Sequence, residues 1–318
     1  MASTLYFIAG LILLFLAGDG LVRGAVSIAN RFHVPPLIIG LTIISMGTSA
    51  PELFVSIQAA IEGAPGLSVG NAVGSNIANA LVVLGLPALV APIMFNSIGI
   101  RRSALFMVAI SIGFAFIAVD GMISAIDGML LIGLLIIYLL YSIIAASKAR
   151  QKKLSNKLNG IDEIELDEES DSLLKSLFYL GFGFVGLAIG AKLIVDGALG
   201  LASIWGIGET VIGTTIVALG TTLPEIAATL AASFRREAGV AIGNVIGSNI
   251  FNLLGILGIT AIMIPLPVVM SLLQFDVWVL LASSALIIPL VFLRRPLGRV
   301  FGILLTGSYM AYLFLSFI

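Results

Sequence analysis

The chain has 318 residues, 59% hydrophobic and 10% charged, with a net charge of −1 and a mean hydropathy of +1.17. A soluble domain is about a quarter charged, so this composition excludes a water-soluble globule and points to an integral membrane protein. The absence of cysteine excludes thiolate metal sites, iron–sulfur clusters and disulfides, and a single histidine, His33, excludes a histidine-rich metal site; no basic patch suggests a nucleic-acid partner.

The first apolar run, Leu5 to Ala17, follows Met1–Thr4 without a lysine or arginine. A secretory leader carries a basic segment there, so this run reads as a retained helix. Long continuous apolar stretches, rather than short alternating ones, predict helices and not a barrel. Ten spans are expected, near residues 5–30, 35–61, 67–90, 100–119, 125–146, 175–203, 208–233, 239–263, 270–293 and 299–317. Between the fifth and sixth lies an aqueous stretch, Ser147 to Asp171, basic at first (Lys148, Arg150, Lys152, Lys153, Lys157) and then acidic (Asp162 to Asp171). It lacks EF-hand spacing and reads as a solvated linker. The predicted organisation is therefore 1–146, a linker 147–174, and 175–318.

Charge asymmetry predicts orientation. One set of loops holds Arg31, Arg101, Arg102, the linker cations, Arg235, Arg236, Arg294, Arg295 and Arg299; the other holds Glu62, Asp120, Glu209 and Asp276 with no lysine or arginine. With the basic loops inside the cell membrane, both termini face outward.

Two stretches inside the apolar runs stand apart. Gly47-Thr48-Ser49-Ala50-Pro51-Glu52 and Gly220-Thr221-Thr222-Leu223-Pro224-Glu225 each place a carboxylate directly after a proline and just beyond two hydroxyls. A carboxylate among lipid-compatible residues is costly and marks function. The proline withholds an N–H and displaces the carbonyl four residues back, at Gly47 and Gly220. Both helices are expected to be broken.

The two stretches are one motif repeated at an offset of 173: Gly40 matches Gly213, Thr42 matches Thr215, and Glu52 matches Glu225. Further along, Gly70 to Asn79 matches Gly243 to Asn252 at seven of ten positions, too many for coincidence. Each repeat holds five spans, an odd number, so the second must enter the membrane inverted. Inverted repeats with interrupted helices at matching positions point to a transporter site near the bilayer midplane. The fold class is thus an all-α membrane protein: ten transmembrane helices in two inverted five-helix repeats with broken core helices.

Helical spacing lets Thr48, Ser49, Glu52 and Ser56 share one face, and likewise Thr221, Thr222, Glu225 and Thr229. In the following helices Ser75 and Asn79, and Ser248 and Asn252, are i, i+4 pairs among glycines that allow close helix approach. Oxygen ligands of this kind suit Na⁺, Ca²⁺ or Mg²⁺ rather than soft metals. Outside this cluster, Asp19 and Lys192 are equivalent positions expected to pair with each other, while Arg23 and Asp196 are expected to snorkel.

These paired motifs resemble the α-repeats of the sodium/calcium exchanger family, and the resemblance covers the whole chain. It implies Na⁺/Ca²⁺ antiport by alternating access through four central cation sites, with no cofactor and no enzyme activity. Glu52 and Glu225 would serve both ions, and Thr48 and Thr221 would join the Ca²⁺ site. Ser49, Ser75, Thr222 and Ser248 match hydroxyl ligands at the flanking Na⁺ sites, helped by the carbonyls of Ser45 and Ala218, and Asn79 and Asn252 match the central amide or acid positions. The first and sixth spans resemble that family's gating helices. Three departures matter: Asn252 stands where some relatives, including potassium-dependent ones, have an acid, which argues against K⁺ transport; Thr222 replaces the commoner serine, keeping the hydroxyl but adding a methyl; and the short linker lacks the regulatory domain of animal exchangers. From the residues alone, a Ca²⁺/H⁺ antiporter and a cation channel stay open beside Na⁺/Ca²⁺ exchange. The oligomeric state is not specified.

Overall fold

The computed structural model describes residues 2–95, 97, 99–158, 171–204, 218–293 and 296–316. In chain order the helices are α1 (Ala2–Arg31), α2 (Pro36–Thr48), α3 (Ala50–Ile61), α4 (Gly66–Val90), α5 (Ile100–Ala118) and α6 (Ala125–Leu158). They continue as α7 (Leu173–Ile204), α8 (Ala218–Phe234), α9 (Ala238–Met263), α10 (Leu272–Leu293) and α11 (Arg299–Ser316). Eight are long and apolar enough to cross a membrane, and α2 with α3, bent by 42°, makes a ninth among the described residues. The one expected span still to be accounted for, the seventh at 208–233, is represented by the 17 residues of α8. Its upstream part, with Glu209, Gly213 and Thr215, lies outside the described residues, as do Arg294 and Arg295.

The apolar part of α6, Ala125–Ala145, ends where the fifth span is expected to end. Helix α6 runs unbroken through the basic stretch to Leu158, because Lys, Arg, Gln and Leu are good helix formers and the stretch contains no proline or glycine. The acidic part falls outside the described residues up to Asp171.

The two proline–glutamate motifs behave differently. In the first half the chain breaks at Ser49 (φ −84°, ψ 7°), and Pro51 opens α3 in the first turn, where a missing N–H costs nothing. In the second half α8 is helical from Ala218 straight through Pro224, so the break expected beside Glu225 is absent among the described residues. Nearby hydroxyls are one means by which a membrane helix tolerates an internal proline, and Thr221 and Thr222 precede this one.

Burial concentrates in α4 and α9, where 78% and 89% of the most apolar 18-residue stretch is enclosed, against 17% in α11. Both are interrupted by short π-helical segments, Asn79–Val83 and Asn252–Ile256, which begin at matching positions of the repeat. A further one, Gly40–Ile44, interrupts α2. Such insertions frequently mark functional sites.

Apolar side chains gain nothing from burial against lipid-like neighbours, so membrane helices associate through close packing of small residues. Gly243 on α9 illustrates this: a Cβ there would lie 2.6 Å from the Leu37 carbonyl oxygen and 2.9 Å from the Gly40 Cα. Helices α1 and α7 pack along their length in a repeated pattern. Gly24 sits against the Ser176 carbonyl and Gly197, its repeat equivalent, against the Ser3 carbonyl.

Two pairs of residues at equivalent positions of the sequence repeat also touch each other directly. Ser111 and Ser284 hydroxyls lie 3.2 Å apart, and Asn76 donates to the Asn249 carbonyl at 3.0 Å, each pair 173 positions apart. At the margins, β1 (Met122–Ile123) pairs antiparallel with β2 (Leu266–Pro267), and Ile93 bridges Leu297.

The expected ion pair between Asp19 and Lys192 does not form. Asp19 instead accepts two hydrogen bonds from Arg235 at 2.6 and 2.7 Å, and Lys192 pairs with Asp196 at 3.1 Å. Sequence equivalence places two residues on corresponding faces, and a bidentate guanidinium on the adjacent α8 end out-competes a more distant ammonium. Arg23 does not merely snorkel: it pairs with Asp171 at 2.9 Å and lies over the Tyr179 ring.

Candidate cation site

Glu52 sits in the first turn of α3 and Glu225 follows Pro224 in α8; both are 1% exposed. The carboxylates are close enough to interact electrostatically, although they come from positions 173 apart. Each is flanked by the other half's hydroxyls. Ser49 donates to Glu225 Oε1 at 2.9 Å, with Thr48 also beside Glu225, and Thr221 stands beside Glu52. Thr48 can donate either to Asn244 Oδ1 at 3.1 Å or to the Ser45 carbonyl at 3.3 Å.

Of the remaining sequence candidates, Ser45, Ser75, Asn79, Thr222, Ser248 and Asn252 are all buried, while Thr221 is partly buried. Ser248 lies beside Glu225. Asn79 and Asn252 occupy the first position of the π-helical segments in α4 and α9. Ala218 opens α8, upstream of Thr221.

What distinguishes this volume is unmet hydrogen-bonding capacity. Glu52 Oε2, Glu225 Oε2, Thr222 Oγ1, Ser248 Oγ and both side-chain polar atoms of Asn79 and of Asn252 have no hydrogen-bond partner among the described residues. Buried polar groups are nearly always satisfied, and orphans call for an explanation. Neither glutamate has an ion pair with a lysine, arginine or histidine among the described residues. Two unpaired carboxylates brought together out of water are strongly unfavourable. A small hard cation satisfies all these atoms at once, because carboxylate, hydroxyl and amide oxygens are its preferred ligands.

Two residues stand out that the sequence did not assign a role. Asn71 Nδ2 donates to the Glu52 carbonyl at 3.2 Å and to Ser56 Oγ at 3.0 Å; Asn244 Nδ2 donates to the Glu225 carbonyl at 3.3 Å and to Thr229 Oγ1 at 3.0 Å. These amides tie the turn carrying each glutamate to the next helix, and Asn244 also reaches Thr48 of the other half. The available signal was their shared spacing, nineteen residues beyond each glutamate in both repeats.

The family model described as "Sodium/calcium exchanger protein" matches residues 2–144 and 175–318. The sodium/calcium exchanger MaX1 of Methanosarcina acetivorans is 33% identical, covering 98% of each chain. The inner membrane protein YrbG of Escherichia coli is 35% identical over 98% of this chain and 96% of its own. A solved structure of the sodium-calcium exchanger NCX_Mj superposes with a TM-score of 0.82 at 36% identity, covering 98% of this chain and 97% of that one. A family model spanning nearly the entire described fold, with full-length relatives and a full-length structural match, assigns the chain to the sodium/calcium exchanger family of membrane cation/calcium antiporters.

Proposed function

We propose that this protein exchanges Na⁺ for Ca²⁺ by alternating access, with Glu52 and Glu225 holding either ion load in turn. The carrying observation is the pair of enclosed carboxylates, one from each half, among buried groups of which Thr222, Ser248, Asn79 and Asn252 have side-chain atoms without a hydrogen-bond partner among the described residues. The architecture proposed around it is ten spans in two inverted halves, 1–146 and 175–318. Both termini face outward and the 147–174 linker inward, following the basic loops.

In this reading Thr48 and Thr221 complete a Ca²⁺ site between the glutamates. Ser49, Ser75, Thr222 and Ser248, with the carbonyls of Ser45 and Ala218, bind Na⁺ at the flanks. Asn79 and Asn252 line the centre, and their amide oxygens have no hydrogen-bond partner among the described residues. Two carboxylates balance one Ca²⁺ or two Na⁺, and any further Na⁺ rests on neutral oxygens. Exchange follows from electrostatics: either load offsets the desolvation of the acids, whereas the empty, doubly charged site changes access reluctantly.

The test is Ca²⁺ uptake into proteoliposomes with Na⁺, H⁺ and K⁺ gradients imposed separately. An outward-directed Na⁺ gradient should drive uphill Ca²⁺ accumulation, and a K⁺ gradient should add nothing. Uptake that follows the pH gradient and ignores Na⁺ would replace this reading with Ca²⁺/H⁺ exchange.

A further inference from the structure

Three charged positions outside the cation site obey the repeat with their signs reversed. Asp19 corresponds to Lys192, Arg23 to Asp196, and Arg235 to Glu62, all at the offset of 173. Each set contains a residue in the long helix (α1 or α7), its i+4 neighbour, and a residue in the turn that leads into α4 or α9. Because every sign is inverted, the complementarity within each set is preserved.

The two sets are in different states. Asp19 is engaged across helices by Arg235 at 2.6 and 2.7 Å. Lys192 has instead fallen back on its own helix, on Asp196 at 3.1 Å. Glu62 accepts from Gln58 at 2.6 Å and from no other side chain among the described residues. The fallback has a counterpart on the other side, because Arg23, here paired with Asp171 at 2.9 Å, lies at i+4 from Asp19. Resting on the alternating-access reading above, we propose that Asp19–Arg235 and Lys192–Glu62 are reciprocal ionic latches. One closes in each of two conformations, and the released member of the open latch rests on its i+4 neighbour.

The physical basis is the repeat itself. In a protein made of two equivalent halves, exchanging the local environments of those halves yields a second conformation of similar energy. Transporters of this architecture change access by moving one bundle against another around a fixed site. Applied here, that exchange moves α1 away from the α8–α9 turn, leaves Asp19 to Arg23, and brings Lys192 of α7 to Glu62 in the α3–α4 turn. Each latch is partly exposed, with side chains 35% and 46% accessible for Arg235 and Asp19, so it biases the equilibrium without locking it. An exposed bidentate pair is worth roughly a two- to fivefold shift in population.

The absence of native cysteine makes the test clean. Two double variants, Asp19→Cys with Arg235→Cys and Glu62→Cys with Lys192→Cys, are treated in native membranes with a short reducible thiol cross-linker. This is repeated in Na⁺, in Ca²⁺ and in ion-free buffer. Both pairs should cross-link, with ion-dependent yields that move in opposite directions. Each cross-link should arrest Ca²⁺ flux and release it on reduction, and a four-cysteine variant should never carry both links in one molecule. In the background of Arg235→Gln alone, the Glu62/Lys192 yield should rise roughly two- to fivefold. The proposal is overturned if the Glu62/Lys192 pair stays unlinked in every condition while the protein transports, or if both links form together. Ca²⁺ flux of the unmodified protein is measured first, so loss of the antiport reading is seen separately from loss of the latch.

Discussion

The Ser49 hydroxyl donates to Glu225 Oε1 at 2.9 Å, joining residues 176 positions apart. A hydroxyl from the first half thereby orients a carboxylate of the second, and Thr221, the repeat equivalent of Thr48, stands beside Glu52. Each carboxylate thus has hydroxyl neighbours from the other half, and the consequences of that interdependence can be measured.

Replacing Glu52 or Glu225 with Gln should cut Ca²⁺ exchange more than about 100-fold, a larger loss than the 10–100-fold typical of residues behind the ligands. The folded protein should survive. In ion-free buffer each variant should be at least as stable as the parent, because one of two like charges has been removed. The parent should gain about 2.7 kcal/mol from Ca²⁺ at a hundredfold excess over its dissociation constant, and the variants should gain almost none. Thermal unfolding with and without Ca²⁺ reads both effects. Transport retained in both variants would refute the site.

Asn244→Leu should raise the KM for Ca²⁺ by about 10-fold or more, the usual effect of losing a group that orients ligands. Asn71→Leu should act in the same direction. The milder Thr229→Val removes only the hydroxyl acceptor of Asn244 and should give a smaller shift in a protein that stays monodisperse. Calcium binding to purified protein checks this without reference to the driving ion. Unchanged affinity in folded Asn244→Leu would reduce these amides to packing.

Gly243→Ala should destabilise the protein by about 1–3 kcal/mol, the usual cost of overpacking. The added methyl meets backbone, the Leu37 carbonyl at 2.6 Å and the Gly40 Cα at 2.9 Å, so no side chain can swing aside. Gly307→Ala on α11, where a Cβ meets nothing within 4 Å, serves as the control. Equal melting temperatures for the two variants would contradict the close α2–α9 contact.

The Asp171 carboxyl is held below its ordinary range by hydrogen bonds from Lys175 and then Arg23. A depressed acid contributes stability above its unfolded value, about 3.9, and that contribution is lost as pH falls through the lower folded value. Asp171→Asn should therefore melt slightly below the parent at neutral pH and converge with it under strong acid. Because the group faces solvent, the gap should also shrink at high salt. A gap that is constant with pH would show that the ion pair contributes nothing.

Much of this was legible in the linear chain. Continuous apolar runs are long because a bilayer requires it, and the starts and ends of most helices follow from them within a few residues. The 173-residue offset exposed Glu52 and Glu225 as equivalents, because a carboxylate in an apolar run is too costly to occur twice at matching positions without a use. That cost operates on composition and needs no coordinates. Contacts between distant helices are different, since an offset establishes equivalence and not proximity. Only packing decided that Asp19 meets Arg235 and not Lys192, that Ser49 reaches Glu225, and that Asn71 and Asn244 tie down the glutamate turns. The same proline likewise opens a bent helix at Pro51 yet lies within a continuous one at Pro224. Its missing N–H is set by the sequence, whereas what the freed carbonyl finds to bind depends on the neighbours that the fold brings in.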